Sequence, residues 1–211
     1  MSGTNFDDPL LESTTNRIEA LTDGIFAIAM TLLVFNLHLS APKSTGPVNS
    51  DLLGLLVGHS HIFVNFIISF LLLAVFWVIH HQQSRFIKRT DRKHIWLNVF
   101  MLMFVCLMPF SVSLIGDYHH DRIANLFFGL NIFILGMLFY WNWHYATQNH
   151  RLISPNMDPE RIALGKRRTA VTPVVSLLAV FLALVHPHLS TYTYLLIPII
   201  LSHPYLRPSS E

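Results

Sequence analysis

A single cysteine, Cys106, stands in 211 residues. Disulfides within the chain and a four-cysteine metal site are thereby excluded. Charge is scarce as well: aspartate, glutamate, lysine and arginine make up 12% of the chain, against about 25% in soluble domains. So few charges cannot cover a soluble surface, while 52% hydrophobic residues exclude disorder. There is no HExxH pattern, no phosphate-binding glycine loop before the GKRR stretch, and no basic–aromatic interleaving suited to nucleic acid. No internal repeat is evident, and no polar segment is long enough for a separate catalytic domain. The opening segment, MSGTNFDDPLLESTTNR, is acidic and does not read as a signal peptide. What remains is an integral membrane protein, all-α and polytopic, in agreement with a mean hydropathy of +0.47.

A helix needs about 20 residues to cross the hydrocarbon core. Six apolar runs are candidates: Ile18–Leu39, Leu52–His80, Ile95–Ile115, Ile123–Tyr145, Ala170–Val185 and Tyr192–Leu201. The second is longer than one span needs, and its first turns, GLLVGHSH, suit the interface. Pro109 and Pro173 fall inside the third and fifth runs; the sixth is short and contains Pro198.

Charge distribution supports this division. With a cytoplasmic N-terminus, the inward segments carry Arg17, Arg85, Lys88, Arg89, Arg92, Lys93, Arg151, Arg161, Lys166, Arg167, Arg168 and Arg207. Of 14 lysines and arginines, only Lys43 and Arg122 fall outside, a strong positive-inside bias. It favours six spans with both termini cytoplasmic, or five if the last run does not cross. The expected organisation is a cytoplasmic segment 1–16, a transmembrane domain 17–206 and a tail 207–211, in the cell membrane. The basic stretches RFIKRTDRK and GKRR are expected to fix topology and touch anionic membrane lipids.

In the first run, RIEALTDGIFAIAMTLLVFNL, no charge follows Asp23 until Lys43. Arg17 and Asp23 are six residues apart and face about 120° away from each other on a helix, so Asp23 needs a partner elsewhere. Trp77, His80, His81 and Asn98 are candidates beside Arg17. Gly24, Ile28, Thr31, Leu32 and Phe35 share one helix face. Such a stripe is ordinarily core or lipid contact. It becomes a hydrophobic constriction, able to gate by dewetting, only if several copies meet around an axis.

Thirteen histidines invite a metal or proton reading. The pairs His59/His61, His80/His81, His119/His120 and His186/His188 all lack the three-or-four spacing that puts two ligands on one helix face, and interfacial rings are the plainer reading. Tyr140, Trp141, Trp143 and Tyr145 read as an aromatic belt, with Trp77 and Trp96 in similar positions.

The stretch Arg17-Ile-Glu-Ala-Leu-Thr-Asp23 with the apolar run behind it resembles bacterial members of the TMEM175 potassium channel family. Their signature is an arginine, three variable residues and then Phe-Ser-Asp. Here Leu21 and Thr22 replace Phe-Ser, keeping an apolar body and a hydroxyl. The resemblance implies a potassium channel without a pore loop, not an enzyme, and no TVGYG-like segment is present. It implies a homotetramer of six-helix subunits whose first helices line a central pore, with potassium ions as the permeating species and no cofactor. Carried onto this chain, it assigns the constriction to Ile28, Leu32 and Phe35, Phe35 standing where leucine is usual. Thr31 matches a hydroxyl position linked to potassium preference. Arg17, Leu21, Thr22 and Asp23 become members of a structural network with Trp77, His80 or His81, and Asn98. A cation-coupled transporter or a histidine-dependent membrane enzyme are the alternatives.

Overall fold

The computed structural model describes residues 9–37, 52–118 and 121–206. Residues 1–8 of the N-terminal segment, the connection with Lys43, the His119/His120 pair and the tail with Arg207 lie outside them. The described chain runs through α1 (Pro9–Leu32), a 3-10 turn (Leu33–Asn36), α2 (Leu52–Gly58), α3 (Ser60–Ser84), α4 (Arg92–Asp117), α5 (Arg122–Thr147), α6 (Pro159–Val185), α7 (Pro187–Thr193) and α8 (Leu196–Ser202). Among the described residues, five segments are long and apolar enough to cross a membrane: 15–36, 60–84, 92–117, 122–150 and 159–185.

Two runs differ in detail from the periodic expectation. The second is divided at His59, whose φ of −104° and ψ of 19° leave the helical range; α2 is therefore a separate short helix before the span. The sixth forms α7 and α8 rather than one long helix. Pro187 restarts the chain after His186, at the first helical position where its missing N–H costs nothing. Pro198 sits in the first turn of α8 for the same reason. The pair packs against α6, with further contacts to α3 and α5. Its anchor is the buried Tyr194, whose ring meets Phe128 edge-on at 5.2 Å.

Sequence also explains how the long helices begin and how they approach. Asp91, Asp121 and Asp158 each accept a backbone N–H at the head of α4, α5 and α6, using donors that have no partner within the helix. Helices α5 and α6 come together through small residues, as membrane helices require when apolar burial alone cannot drive association. A Cβ on Gly136 would stand 2.9 Å from Pro173 Cδ, and one on Gly165 would collide with the Trp143 indole. Trp143 is buried and donates its indole N–H to Ile162 O at 3.1 Å. It is therefore a packing residue between α5 and α6, while Trp141 remains exposed.

The two basic connections meet at one end of the bundle, as the charge bias requires. Ile87 and Ile153 form an isolated antiparallel bridge. Lys88 N–H donates to Leu152 O at 2.9 Å, and Arg89 Nε donates to Arg151 O at 2.6 Å. Asp91 ties this end together. Its carboxylate accepts from the His94 amide at 2.9 Å and from the Tyr145 hydroxyl at 2.6 Å, and Arg151 donates to that hydroxyl at 2.6 Å. Partial burial pushes the Asp91 carboxyl upward, but the Tyr145 hydroxyl, the His94 amide and the Arg151 charge outweigh it and hold it below the ordinary aspartate value.

A depressed carboxyl contributes stability that is complete above its unfolded value and lost as pH falls through its folded value. Asp91→Ala is expected to lower stability by about 1 kcal/mol near neutral pH, the usual effect of losing a cap. The gap from wild type narrows as pH drops below the ordinary aspartate range. Thermal melts of both proteins across that range check this, and a gap independent of pH contradicts it.

Candidate functional site

Helix α1 has two contrasting faces. Thr22, Phe26, Ala29 and Leu33 are fully or almost fully buried, against α3 and α4. The opposite face carries Leu21, Gly24, Ile28, Thr31, Leu32 and Phe35, all exposed in the single chain. Ile28 is 58% exposed, Leu32 42% and Phe35, on the 3-10 turn, 75%. Nothing lies within 4 Å of a Cβ built on Gly24. Thr31 donates its hydroxyl proton to Ile28 O at 2.8 Å, a bond back to the preceding turn. That leaves its oxygen able to accept from the exposed side. The buried face is thus committed to packing within the chain, and the outward stripe is open for something else.

A polar seam holds the foot of this helix. Trp77 Nε1–H donates to Asp23 Oδ1 at 2.9 Å, answering the need for a partner on another helix. The Trp77 ring stacks on His81 at 5.6 Å with 17° between planes. His81 Nδ1 lies 3.6 Å from Glu19 Oε1, and Ser84 donates to the same carboxylate oxygen at 2.8 Å. Two carboxylates on α1 therefore engage an indole, an imidazole and a hydroxyl on α3. Arg17 is exposed and makes no hydrogen bond or ion pair among the described residues, in line with its angular separation from Asp23.

His80 and Asn98 take no part in the bond to Asp23. His80 is buried and meets Phe139 edge-on at 6.4 Å. Asn98 belongs to a buried cluster between α4 and α5. Asn142 Nδ2 donates to Asn98 Oδ1 at 3.1 Å, and Asn98 Nδ2 donates to His94 O at 2.8 Å. His94 Nε2 lies 2.9 Å from Asn142 Oδ1, and Nδ1 lies 2.8 Å from the Thr90 hydroxyl. A neutral ring with its proton on Nε2 satisfies both contacts, donating to Asn142 and accepting from Thr90. His80 also lines a cavity of about 20 Å³ that reaches from Glu19 to His94 and Asn142, so the two clusters adjoin.

Glu19, Ser84, His94 and Asn142 were not among the residues singled out from sequence. A signal for three of them was present. Glu19 and Asp23 are four apart and share a helix face; Trp77, His81 and Ser84 follow at four and seven, one stripe of α3; His94 and Asn98 are four apart on α4. Asn142 carries no such mark, being a lone amide in an apolar run.

A helical bundle with this motif-bearing first helix and polar seam matches known proteins. The profile of the TMEM175 family, described as the endosomal/lysosomal potassium channel TMEM175, matches residues 17–109. A potassium channel of Streptomyces collinus is 31% identical over 175 residues, covering 81% of this chain and 83% of that protein. The chain belongs to the TMEM175 family. A potassium channel of Chamaesiphon minutus is 30% identical over 184 residues, 85% of this chain and 89% of its own. The crystal structure of a lysosomal potassium-selective channel TMEM175 homolog from Chamaesiphon minutus superposes with a TM-score of 0.78 at 26% identity, over 90% of this chain and 97% of that one. The TMEM175 profile begins at Arg17 and so takes in the whole seam on α1.

If the seam anchors α1, Asp23→Ala and Trp77→Phe remove the same interaction. Each is expected to destabilise the protein by about 1 kcal/mol, and the double variant by clearly less than their sum. Thermal melts of the four proteins check the cycle; strict additivity contradicts a shared interaction.

Proposed function

We propose that four copies of this chain form a potassium-favouring cation channel whose central pore is lined by the outward stripe of α1. The observation that carries the reading is that stripe: an apolar face, interrupted only by glycine and threonine, left open while the opposite face of the same helix is packed. Membership in a family of potassium channels supplies its use, and sets the membrane-enzyme alternative aside.

In this arrangement Ile28 forms the narrowest ring, with Leu32 one turn beyond it and Phe35 at the next. A helix rises about 1.5 Å per residue, so the Ile28 and Leu32 rings stand about 6 Å apart along the axis. An apolar ring gives a permeating ion no replacement for its water. When tight it excludes water and closes; when wider it passes ions that keep most of their hydration. Potassium surrenders water more readily than sodium, so a partial loss of hydration at the ring favours it. Thr31, about 4.5 Å along the helix from Ile28, has its proton engaged with Ile28 O and offers its oxygen as a transient ligand. The selectivity expected from one hydroxyl ring beside an apolar neck is modest.

Thr22 and Asp23 serve structure in this reading, while Arg17 stands exposed beside them and Leu21 lies on the outward stripe. Thr22 is fully buried, and Asp23 is held by Trp77, so neither is free to follow an ion. The N-terminus and the two basic connections lie on the cytoplasmic side of the cell membrane by the positive-inside rule.

Two measurements test the proposal. In proteoliposomes or voltage-clamped cells, the reversal potential is expected to follow the potassium gradient more closely than the sodium gradient; no shift with potassium contradicts the assignment. Ile28→Asn, which wets the neck, is expected to raise cation flux at least severalfold and weaken selectivity. Unchanged flux and selectivity in that variant place the constriction elsewhere.

A further inference from the structure

A crevice of about 390 Å³ opens between the C-terminal end of α3, α5 and the first turns of α6. That volume lies within the range of small-ligand sites, about 300–1,000 Å³. Three guanidinium groups line it: Arg85, Arg161 and Arg168. Arg85 is exposed and Arg168 half-buried, and neither has a hydrogen-bond or ion-pair partner among the described residues. Half-burying a guanidinium without an anion is unfavourable, most of all at the end of a membrane span. The amides of Gln82 and Gln83 share the lining. Gln83 is buried, and its Nε2, a donor only, has no hydrogen-bond partner. The unpaired guanidinium groups of Arg85 and Arg168, from two parts of the chain, thus share one crevice.

The opposite character completes the site. Ile79 and Leu164 are also on its wall, beside the apolar portions of α3 and α6. Its level is set by the sequence of α6, where the charged turn with Arg161, Lys166, Arg167 and Arg168 gives way at Thr169 to the apolar run. That is where phospholipid headgroups lie. The forked geometry of arginine suits the several oxygens of a phosphate better than a point charge does.

We propose that this crevice binds the phosphate-bearing headgroup of an anionic phospholipid, with Arg85 and Arg168 contacting the phosphate. The site lies away from the α1 stripe, and its occupancy does not depend on the pore reading, only on placement of the chain in a membrane. A headgroup seated there would join α3 to α6, which otherwise meet mainly through α5 and α8.

The test uses the full-length protein, purified in detergent and titrated with phosphatidylglycerol or phosphatidylcholine, with bound lipid counted by native mass spectrometry. Wild type is expected to hold phosphatidylglycerol about tenfold more tightly than phosphatidylcholine, the scale of one lost charge-assisted hydrogen bond. Arg168→Gln and Arg85→Gln should each remove most of that preference, and Arg85→Lys should restore part of it. Arg92→Gln, at the same end of the molecule but outside the crevice, should leave it intact. Loss of the preference in Arg92→Gln to the same degree overturns the site in favour of general surface charge. Competition by inorganic phosphate as effective as that by phosphatidylglycerol overturns the lipid assignment in favour of a free anion. Should Arg168→Gln fail to fold, Arg85→Gln carries the test alone, and an undiminished preference in it overturns the proposal.

Discussion

One-sided packing of α1 is the constraint on which the rest of the structure depends. Between Asp23 and the end of the described helix no charged side chain is available to fix its rotation. Its orientation must come from shape along the buried face and from polar contacts at its foot. Phe26, Ala29 and Leu33 supply the first, lying in the main core with α3 and α4. Asp23 and Glu19 supply the second, through Trp77, His81 and Ser84. Rotating α1 by one residue, about 100°, would break the seam and expose the packed face together. The outward stripe is therefore held at a defined angle, which a pore-lining helix requires and a helix that merely faces lipid does not.

The remaining helices act as a frame for that orientation. Small residues let α5 and α6 approach, and His94, Asn98 and Asn142 fasten α4 to α5 by mutually satisfied hydrogen bonds. Such bonds are worth modest amounts each. Their larger effect is specificity, since any sliding of α4 on α5 would leave buried amides unpaired. At the basic end, the bridge between Ile87 and Ile153 and the Asp91–Tyr145–Arg151 chain close the same frame. Polar groups near the far end of α1 are used sparingly: Thr31 bonds its own helix, and Asn36, on the 3-10 turn beyond it, donates to Pro109 O at 2.9 Å.

Much of this architecture was legible in the sequence because a membrane imposes few solutions. Apolar runs of about 20 residues mark spans, and the basic connections predicted to share a side do pair in space. The Trp77–Asp23 contact was among the partners that Asp23's unmet need pointed to. Other features were hidden for physical reasons. Trp143 resembles a belt residue until Gly165, on the following long helix, opens the space that buries it. The last apolar run gives no sign of how it folds until Pro187 and Pro198 are placed in helix first turns, where proline is tolerated. The convergence of Arg85 and Arg168 depends on two connections meeting, which no spacing within either one encodes.

The central claim is that four copies of α1 surround a common axis with Ile28 closest to it. An experimentally determined structure of the assembled protein in lipid nanodiscs tests this most directly. The account predicts a fourfold arrangement with a continuous path along the Leu21–Phe35 stripe and its narrowest point at Ile28. Finding α1 against lipid, or an axis filled by other helices, would contradict it.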